Sequence, residues 1–364
     1  MESMVSFEQL KTIYAGKKVF LTGHTGFKGS WMLKTLHLLG AEVTGYSLAP
    51  QTGDDLFHLI KGDTLCHSII ADIRDAAHLK QSITDCQPDF IFHLAAQPLV
   101  RLSYDMPSET FEVNAIGTAN LLEGVKELRK ECSVILITTD KVYHNEEWLY
   151  PYRESDRLGG YDPYSASKAC AELIIDSFRN SFFHPKDYHN HKKGIAVVRA
   201  GNVIGGGDWS KDRLIPDLAR AFGNGKKLLV RNPKSVRPWQ HVLEPVIGYL
   251  LLGQYVEQEP FQYSTAFNFG PESSDAISVN EMVKLSIEVW GDGTYESIAN
   301  TGEPHEAGLL KLDISKVKNL LNWSPRFAAK EAVTFTLDWY KNFYDRTDMD
   351  DFTANQIKSF LNLK

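Results

Sequence analysis

The sequence predicts an α/β fold, a doubly wound parallel sheet joined to a smaller mixed α/β unit towards the C-terminus. Three observations point to it. From Lys18 to Arg199, short apolar runs alternate with longer helical patterns. The runs are continuously apolar rather than alternating, which implies a sheet covered on both faces. A glycine-rich turn follows the first run and opens a helix. Strand–helix alternation of this kind implies right-handed crossovers, parallel pairing and a Rossmann-type arrangement.

The elements follow in order. Lys18–Thr22 is rich in β-formers, and Gly29–Leu39 carries Trp31, Leu33, Leu36 and Leu39 at helical spacing. Further strands are read at Glu42–Leu48, Ser68–Ile73, Phe90–Ala95, Val134–Thr138 and Ile195–Arg199. Helices are read near Asp75–Ile83, Glu109–Leu128 and Pro163–Phe178. After Gly201 the rhythm breaks. The stretch Gly205–Asp208 reads as a loop, with helical patterns at Pro216–Phe222, Val279–Val289, Ile314–Leu321 and Ala329–Tyr344. Leu228–Arg231 and Ala266–Phe269 read as strands of the smaller unit. The expected division is a larger domain at 14–203 with roughly 236–266, a smaller one at 204–235 and 267–350, interleaved with it, and a polar, loosely held tail at 351–364.

At 364 residues, with 43% hydrophobic and 23% charged residues, the chain suits two intimately joined soluble domains. A net charge of −7 argues against a nucleic-acid partner, which usually needs a basic face, but leaves room for a local basic pocket. Cys66, Cys86, Cys132 and Cys170 form no Cys-x-x-Cys pair and have no His at ligand spacing, so buried free thiols are expected and no metal. Met1–Gly16 has no apolar signal core and no run is long enough to span a bilayer. No membrane partner and a cytoplasmic location are the expectation.

The sharpest local signal is Gly23-His-Thr25-Gly26-Phe27-Lys28-Gly29. Glycines let the backbone turn tightly and approach a pyrophosphate, and the helix N-terminus behind them offers unpaired N–H groups to that anion. The second strand ends in Gly45-Tyr46-Ser47, with neither the acid of many NAD sites nor an arginine. Ser47 is then the candidate for the ribose. Asp72 and Ile73, closing the third strand, are candidates for the adenine edge. A turn aspartate capping the next helix is the alternative for Asp72.

Tyr164 and Lys168 stand at i and i+4 of a helical pattern, on one face. An ammonium beside a phenol stabilises the phenolate and draws its pKa from about 10 towards working pH. Such a phenol can take a proton from a sugar hydroxyl while a hydride leaves the same carbon. Thr138-Thr139-Asp140-Lys141 ends a strand, and ligands of parallel sheets bind at the carboxyl ends of strands. Glycine turn, Thr-Asp-Lys segment and Tyr–Lys pair should therefore share one rim.

Together with His93-Leu-Ala95-Ala96-Gln97, Val113-Asn114-Ala-Ile-Gly117-Thr118 and Arg199-Ala-Gly-Asn202-Val203, these motifs make the chain resemble the extended short-chain dehydrogenase/reductases over nearly its whole length. Thr139-Asp140 resembles the nucleotide-sugar 4,6-dehydratases of that family. Most of those continue with Glu. Lys141, with Ser30-Trp31 after the glycine turn, Asp208-Trp209, Arg237-Pro-Trp-Gln-His241 and Pro304-His305-Glu-Ala-Gly308, is similar to the dehydratases that act on CDP-glucose.

The resemblance implies NAD as cofactor, held also by Ala95, Ala96, Gln97, Asn114, Tyr164 and Lys168, and a CDP-sugar as substrate. It implies oxidation at sugar C4 with Tyr164 as base, loss of water across C5 and C6, and return of the hydride to C6. Asp140 would protonate the departing C6 hydroxyl and so must start protonated, which calls for burial. Lys141 would move the C5 proton and must be neutral to do so. Thr139 would hydrogen-bond the C4 oxygen. Asn202 resembles the asparagine that holds the substrate phosphate or sugar. Arg237 suits a diphosphate through its planar fork, or else is a surface arginine stacked on Trp239. His305 is a further substrate candidate, and Lys211 and Arg213 have less support. A homodimer through the two helical stretches near Glu109–Leu128 and Pro163–Phe178 is the family-level expectation. Two rivals remain: a nucleotide-sugar 4-epimerase or reductase, and a cofactor-binding regulator without catalysis. Asp140 counts against the first and the intact Tyr164, Lys168 and Thr139 against the second.

Overall fold

Seven apolar runs meet in one parallel sheet. They are β1 (Lys18–Thr22), β2 (Glu42–Ser47), β3 (His67–Ile70), β4 (Phe90–His93), β5 (Cys132–Ile137), β6 (Lys193–Ala200) and β7 (Ala266–Phe269), in the spatial order β3-β2-β1-β4-β5-β6-β7. The structure, a computed structural model, describes residues 5–275, 277–297 and 309–362. The register explains why the strands read as continuously apolar. Phe20, Ile91, Val134 and Ile195 align across β1, β4, β5 and β6 and enter one core cluster. Their neighbours Leu21, Phe92, Ile135 and Ala196 align likewise and enter the other. Each of these aligned residues therefore meets a packed layer whichever way it points.

β7 departs from expectation. Ala266–Phe269 pairs in parallel with Val197–Ala200 of β6 and completes the large sheet, instead of belonging to the smaller unit. Beyond β6 the remaining strands are short. Val203–Ile204 pairs with Gln240–His241, Val236–Arg237 with Ile277–Ser278, and Leu228–Val230 with Tyr295–Ser297.

Among the helices that escaped the periodicity are two that meet in the core. Leu243–Gln258 is buried continuously from Leu243 to Gly253. A helix apolar on all sides has no amphipathic period to detect. Phe7–Tyr14 is opened by a Ser6–Gln9 capping box, and Tyr14 donates its hydroxyl to the Leu250 carbonyl at 2.7 Å. The stretch expected as one helix over Glu109–Leu128 is broken by a π-helical turn at Glu112–Ile116, which carries Asn114.

The expectation of a loose tail is overturned. Met349–Leu361 is a helix whose N-terminus is capped by the Asp348 carboxylate. Its polar composition hides an apolar face: Ile357, Phe360 and Leu361 lie at helical spacing and are buried in the main core. The four cysteines are free, with Cys132 buried and the other three half-buried. Among the described residues no helix is long and apolar enough to cross a membrane.

Candidate active site

The strand order reverses about β1, and the turns leaving β1 and β4 bound the crevice there. Their backbones touch. Gly23 has φ +75°, and a Cβ on it would stand 2.7 Å from the Ala95 nitrogen. A Cβ on Gly29 would stand 1.9 Å from the Gly23 carbonyl oxygen, so only glycine lets the helix Phe27–Leu38 fold back on its own turn. Gly26 caps that helix without a side chain and is exposed. The first N–H groups are thus open to an anion. Thr25 and Ser47 share a hydrogen bond of 2.9 Å at the end of β2. Leu94 and Ala95 donate their N–H groups to Thr22 Oγ1. Beyond Ala96, Gln97 donates its N–H to Asn114 Oδ1 at 2.9 Å, and Asn114 Nδ2 donates to Ser167 Oγ at 2.9 Å. Asn114 therefore ties the β4 turn to the helix Pro163–Ser181. A backbone cradle without Cβ atoms, two hydroxyls at the β2 end and a buried amine below fit a dinucleotide.

For Asp72 the helix-cap alternative fails. Its carboxylate is taken by Arg74, through Nε at 2.9 Å and Nη2 at 2.6 Å, and Arg74 holds it below the usual carboxylate range. The cap of the next helix is Asp75, which accepts from the His78 N–H. Ile73 is a core residue, packed against Gly117.

Beyond β5 the chain turns at Thr139, Asp140 and Lys141. Asp140 is 2% exposed, and its Oδ1 accepts from Thr139 Oγ1 at 3.0 Å and from Lys141 Nζ at 3.0 Å. Lys141 Nζ also donates to Asn202 Oδ1 at 3.2 Å. Tyr164 opens the helix Pro163–Ser181 behind its Asp162 cap, within reach of the charges of Lys141, Asp140 and Arg213. Burial pushes its phenol above the ordinary tyrosine value. Lys141 and Thr139 draw it down without overcoming burial. This corrects the sequence expectation, in which the neighbouring lysine dominated. Lys168 is buried, donates to the Ile137 carbonyl at 3.1 Å, and is pushed down to about 8 by burial, against the pull of Glu172. Lys28 of the glycine turn reaches Tyr249 Oη at 3.2 Å. Burial, with Arg213 and Lys168 adding repulsion, pushes it down to about 7.

One group of functional consequence was missed in the sequence. Behind Lys168, Glu172 accepts from Thr138 Oγ1 at 2.6 Å and from Arg199 Nε at 2.9 Å. Arg199 Nη1 donates to Tyr143 Oη at 2.8 Å, and that hydroxyl donates to Asn268 Oδ1 at 2.7 Å. All five side chains are buried. The available signal was Glu172, one further turn beyond Tyr164 and Lys168 on the same helix face.

Of the substrate candidates, Asn202 lies against Lys141. Arg237 is half-buried and donates to the Val236 carbonyl at 3.2 Å. The following Pro238 and Asp140 both flank Gly201, so the segment carrying Arg237 passes the acid. Arg213 Nη1 pairs with Asp208 Oδ2 at 2.9 Å and faces Tyr164. Lys211 lines an open cavity of about 430 Å³ with Arg220, Lys227, Arg231 and the carboxylates of Asp212 and Asp217. His305 lies outside the described residues.

The comparisons with known proteins agree with this geometry. The family model described as GDP-mannose 4,6 dehydratase matches residues 20–336. A CDP-glucose 4,6-dehydratase of Salmonella typhimurium is 47% identical over 96% of this chain and 98% of its own. A UDP-glucose 4-epimerase of Mycoplasma pneumoniae is 24% identical over 90% of this chain and 98% of its own. Among solved structures, the dTDP-glucose 4,6-dehydratase DesIV of Streptomyces venezuelae, solved with NAD bound, superposes with a TM-score of 0.76 at 22% identity, covering 90% of this chain and 98% of that one. A shared architecture, a motif set running from the glycine turn to Asn202 and a match over most of the sequence leave one assignment: this chain belongs to the GDP-mannose 4,6 dehydratase family, within the extended short-chain dehydrogenase/reductases.

Proposed function

We propose that the chain is a NAD-dependent CDP-glucose 4,6-dehydratase, converting CDP-D-glucose to CDP-4-dehydro-6-deoxy-D-glucose. The observation that carries the reading is the 3.0 Å pair of Asp140 and Lys141, held beside Tyr164, in a chain 47% identical to a relative of that name. An epimerase has no need of such a pair.

NAD would be held by the turn Gly23–Gly29, Thr25, Ser47, Ala95–Gln97 and Asn114, with Tyr164 and Lys168 beside its reactive end. When bound, its nicotinamide accepts a hydride from the sugar and gives it back. Tyr164 takes the proton of the C4 hydroxyl as that carbon is oxidised. Lys141 and Arg213 offset part of the burial that opposes a phenolate. Thr139 hydrogen-bonds the C4 oxygen. Elimination then falls to the pair. One proton moved from Lys141 to the Asp140 carboxyl, and carried there on Oδ2, gives a neutral amine beside a neutral acid whose Oδ1 still accepts from the amine. The amine takes the C5 proton, the C6–O bond breaks, a C5=C6 double bond forms, and the acid protonates the departing oxygen, which leaves as water. The ion pair is restored, Lys141 gives its proton back to C5 as the hydride returns to C6, and the proton that Tyr164 took makes good the one lost with the water.

The diphosphate is assigned to Arg213 and Arg237, with Lys211 further out. The large sheet would serve the cofactor and the segments after β6, β7 aside, the nucleotide-sugar. A cytoplasmic homodimer completes the proposal, supported by Ile116 and Leu173, which are 52% and 59% exposed on the two helical stretches expected to pair. Incubating the purified protein with CDP-glucose tests the reaction. A 4-keto-6-deoxy product is expected. CDP-galactose would mean an epimerase, and unchanged sugar a binder or a different nucleotide.

A further inference from the structure

We propose that Asn202 is a positioning residue for Lys141, its carboxamide oxygen fixing with Asp140 the direction in which the amine acts. The proposal rests on the reading of Lys141 as the C5 base. A lysine nitrogen has three tetrahedral directions besides its own chain. Here two of them end on acceptors, Asp140 Oδ1 at 3.0 Å and Asn202 Oδ1 at 3.2 Å. When the amine is neutral, both of its N–H groups are so engaged and the lone pair takes the remaining direction. With Asp140 alone, a flexible four-carbon stem would leave that direction unspecified.

Asn202 is suited to the task because its backbone is fixed. It joins β6 to Val203–Ile204, which pairs with Gln240–His241, and its carbonyl accepts the Gln240 N–H at 3.3 Å. The preceding Gly201 abuts the acid itself: a Cβ there would stand 3.4 Å from Asp140 Oδ2. Acid and carboxamide are thus held in one frame. The charge of the acceptor matters as well. A carboxamide orients an amine without adding a charge that retains its proton. The charged and titratable groups facing Lys141 are Asp140 beside it, Tyr164 from the helix and Lys28 from the glycine turn.

The test is single turnover of the NAD-loaded protein with CDP-glucose, following cofactor reduction and formation of the dehydrated sugar separately. In Asn202→Ala, elimination should slow by roughly 10- to 100-fold while cofactor reduction stays within about twofold of wild type. The isosteric Asn202→Asp should eliminate still more slowly near neutral pH and recover as the pH rises, since the added carboxylate retains the proton on the amine. Equal slowing of both signals, or a raised KM with unchanged elimination, would overturn the proposal and make Asn202 a substrate-holding residue. Lys141→Ala run alongside separates the layers. Elimination at the wild-type rate in that variant removes the base assignment itself. Slow elimination there with a normal Asn202→Ala removes only the positioning role.

Discussion

The helix Pro163–Ser181 carries Tyr164, Lys168 and Glu172 at successive four-residue steps, and the two ends of that stripe sit in opposite electrostatic situations. At the back, Glu172 and Arg199 match charge for charge, and Thr138, Tyr143 and Asn268 take up further hydrogen-bonding positions. At the mouth, Lys28, Lys141, Lys168 and Arg213 outnumber the nearby carboxylates of Asp140 and Asp208, with Glu172 acting on Lys168 from behind. A matched buried pair fixes geometry and is costly to break. Unmatched cations are kept where an anionic phenolate and a diphosphate are to be received. The same helix face is a frame at one end and a reactive surface at the other.

Substitutions at the two ends should therefore fail differently. Tyr164→Phe removes the proton acceptor at the mouth. We expect kcat to fall by roughly 10²- to 10⁴-fold with little change in the thermal midpoint. A comparable fall in Tm would place Tyr164 in the frame instead. Arg199→Leu strands the Glu172 carboxylate, and we expect a loss of about 3–5 kcal/mol in denaturant unfolding. A loss below about 1 kcal/mol would mean that the back is no frame.

Lys168→Met sharpens the contrast by sign. The amine's folded value of about 8 lies below its ordinary 10.5, so between these values the folded protein binds fewer protons than the unfolded chain. Wild-type stability should rise with pH across that window, and in the variant the rise should be absent. Near pH 7 the variant should be the more stable protein by on the order of 1–3 kcal/mol, an advantage that fades towards pH 10.5, although its activity is lost. Urea unfolding at several pH values reads this directly, and a variant less stable at neutral pH would contradict it. Thr138→Val, which deletes one hydrogen bond to Glu172, should cost about 1–2 kcal/mol and leave kcat nearly unchanged.

The two ends also differed in how well they could be read from the sequence. Gly23–Gly29, Thr139–Lys141 and Tyr164–Lys168 are contiguous or lie one helical turn apart, so spacing alone reveals them. Glu172, Arg199, Tyr143 and Asn268 come from separate elements, and only the fold brings them together. The contact of Asn202 with Lys141 was hidden for the same reason. The pairing of Asp72 with Arg74, only two residues away, was overlooked. The Tyr164 phenol was misjudged because a sequence displays a neighbouring lysine but not the extent of burial opposing it. The helix Leu243–Gln258 is buried on every side from Leu243 to Gly253 and so lacks the polar face that marks a surface helix, whereas the apolar face of Met349–Leu361 was masked by the polar residues around it.

The central claim, that the cation-rich mouth performs elimination with an internal return of hydride, is tested most directly with CDP-glucose deuterated at C4. The account predicts a 4-keto-6-deoxy product with the deuterium at C6. Deuterium retained at C4 of an inverted sugar, or a labelled substrate recovered unchanged, would contradict it.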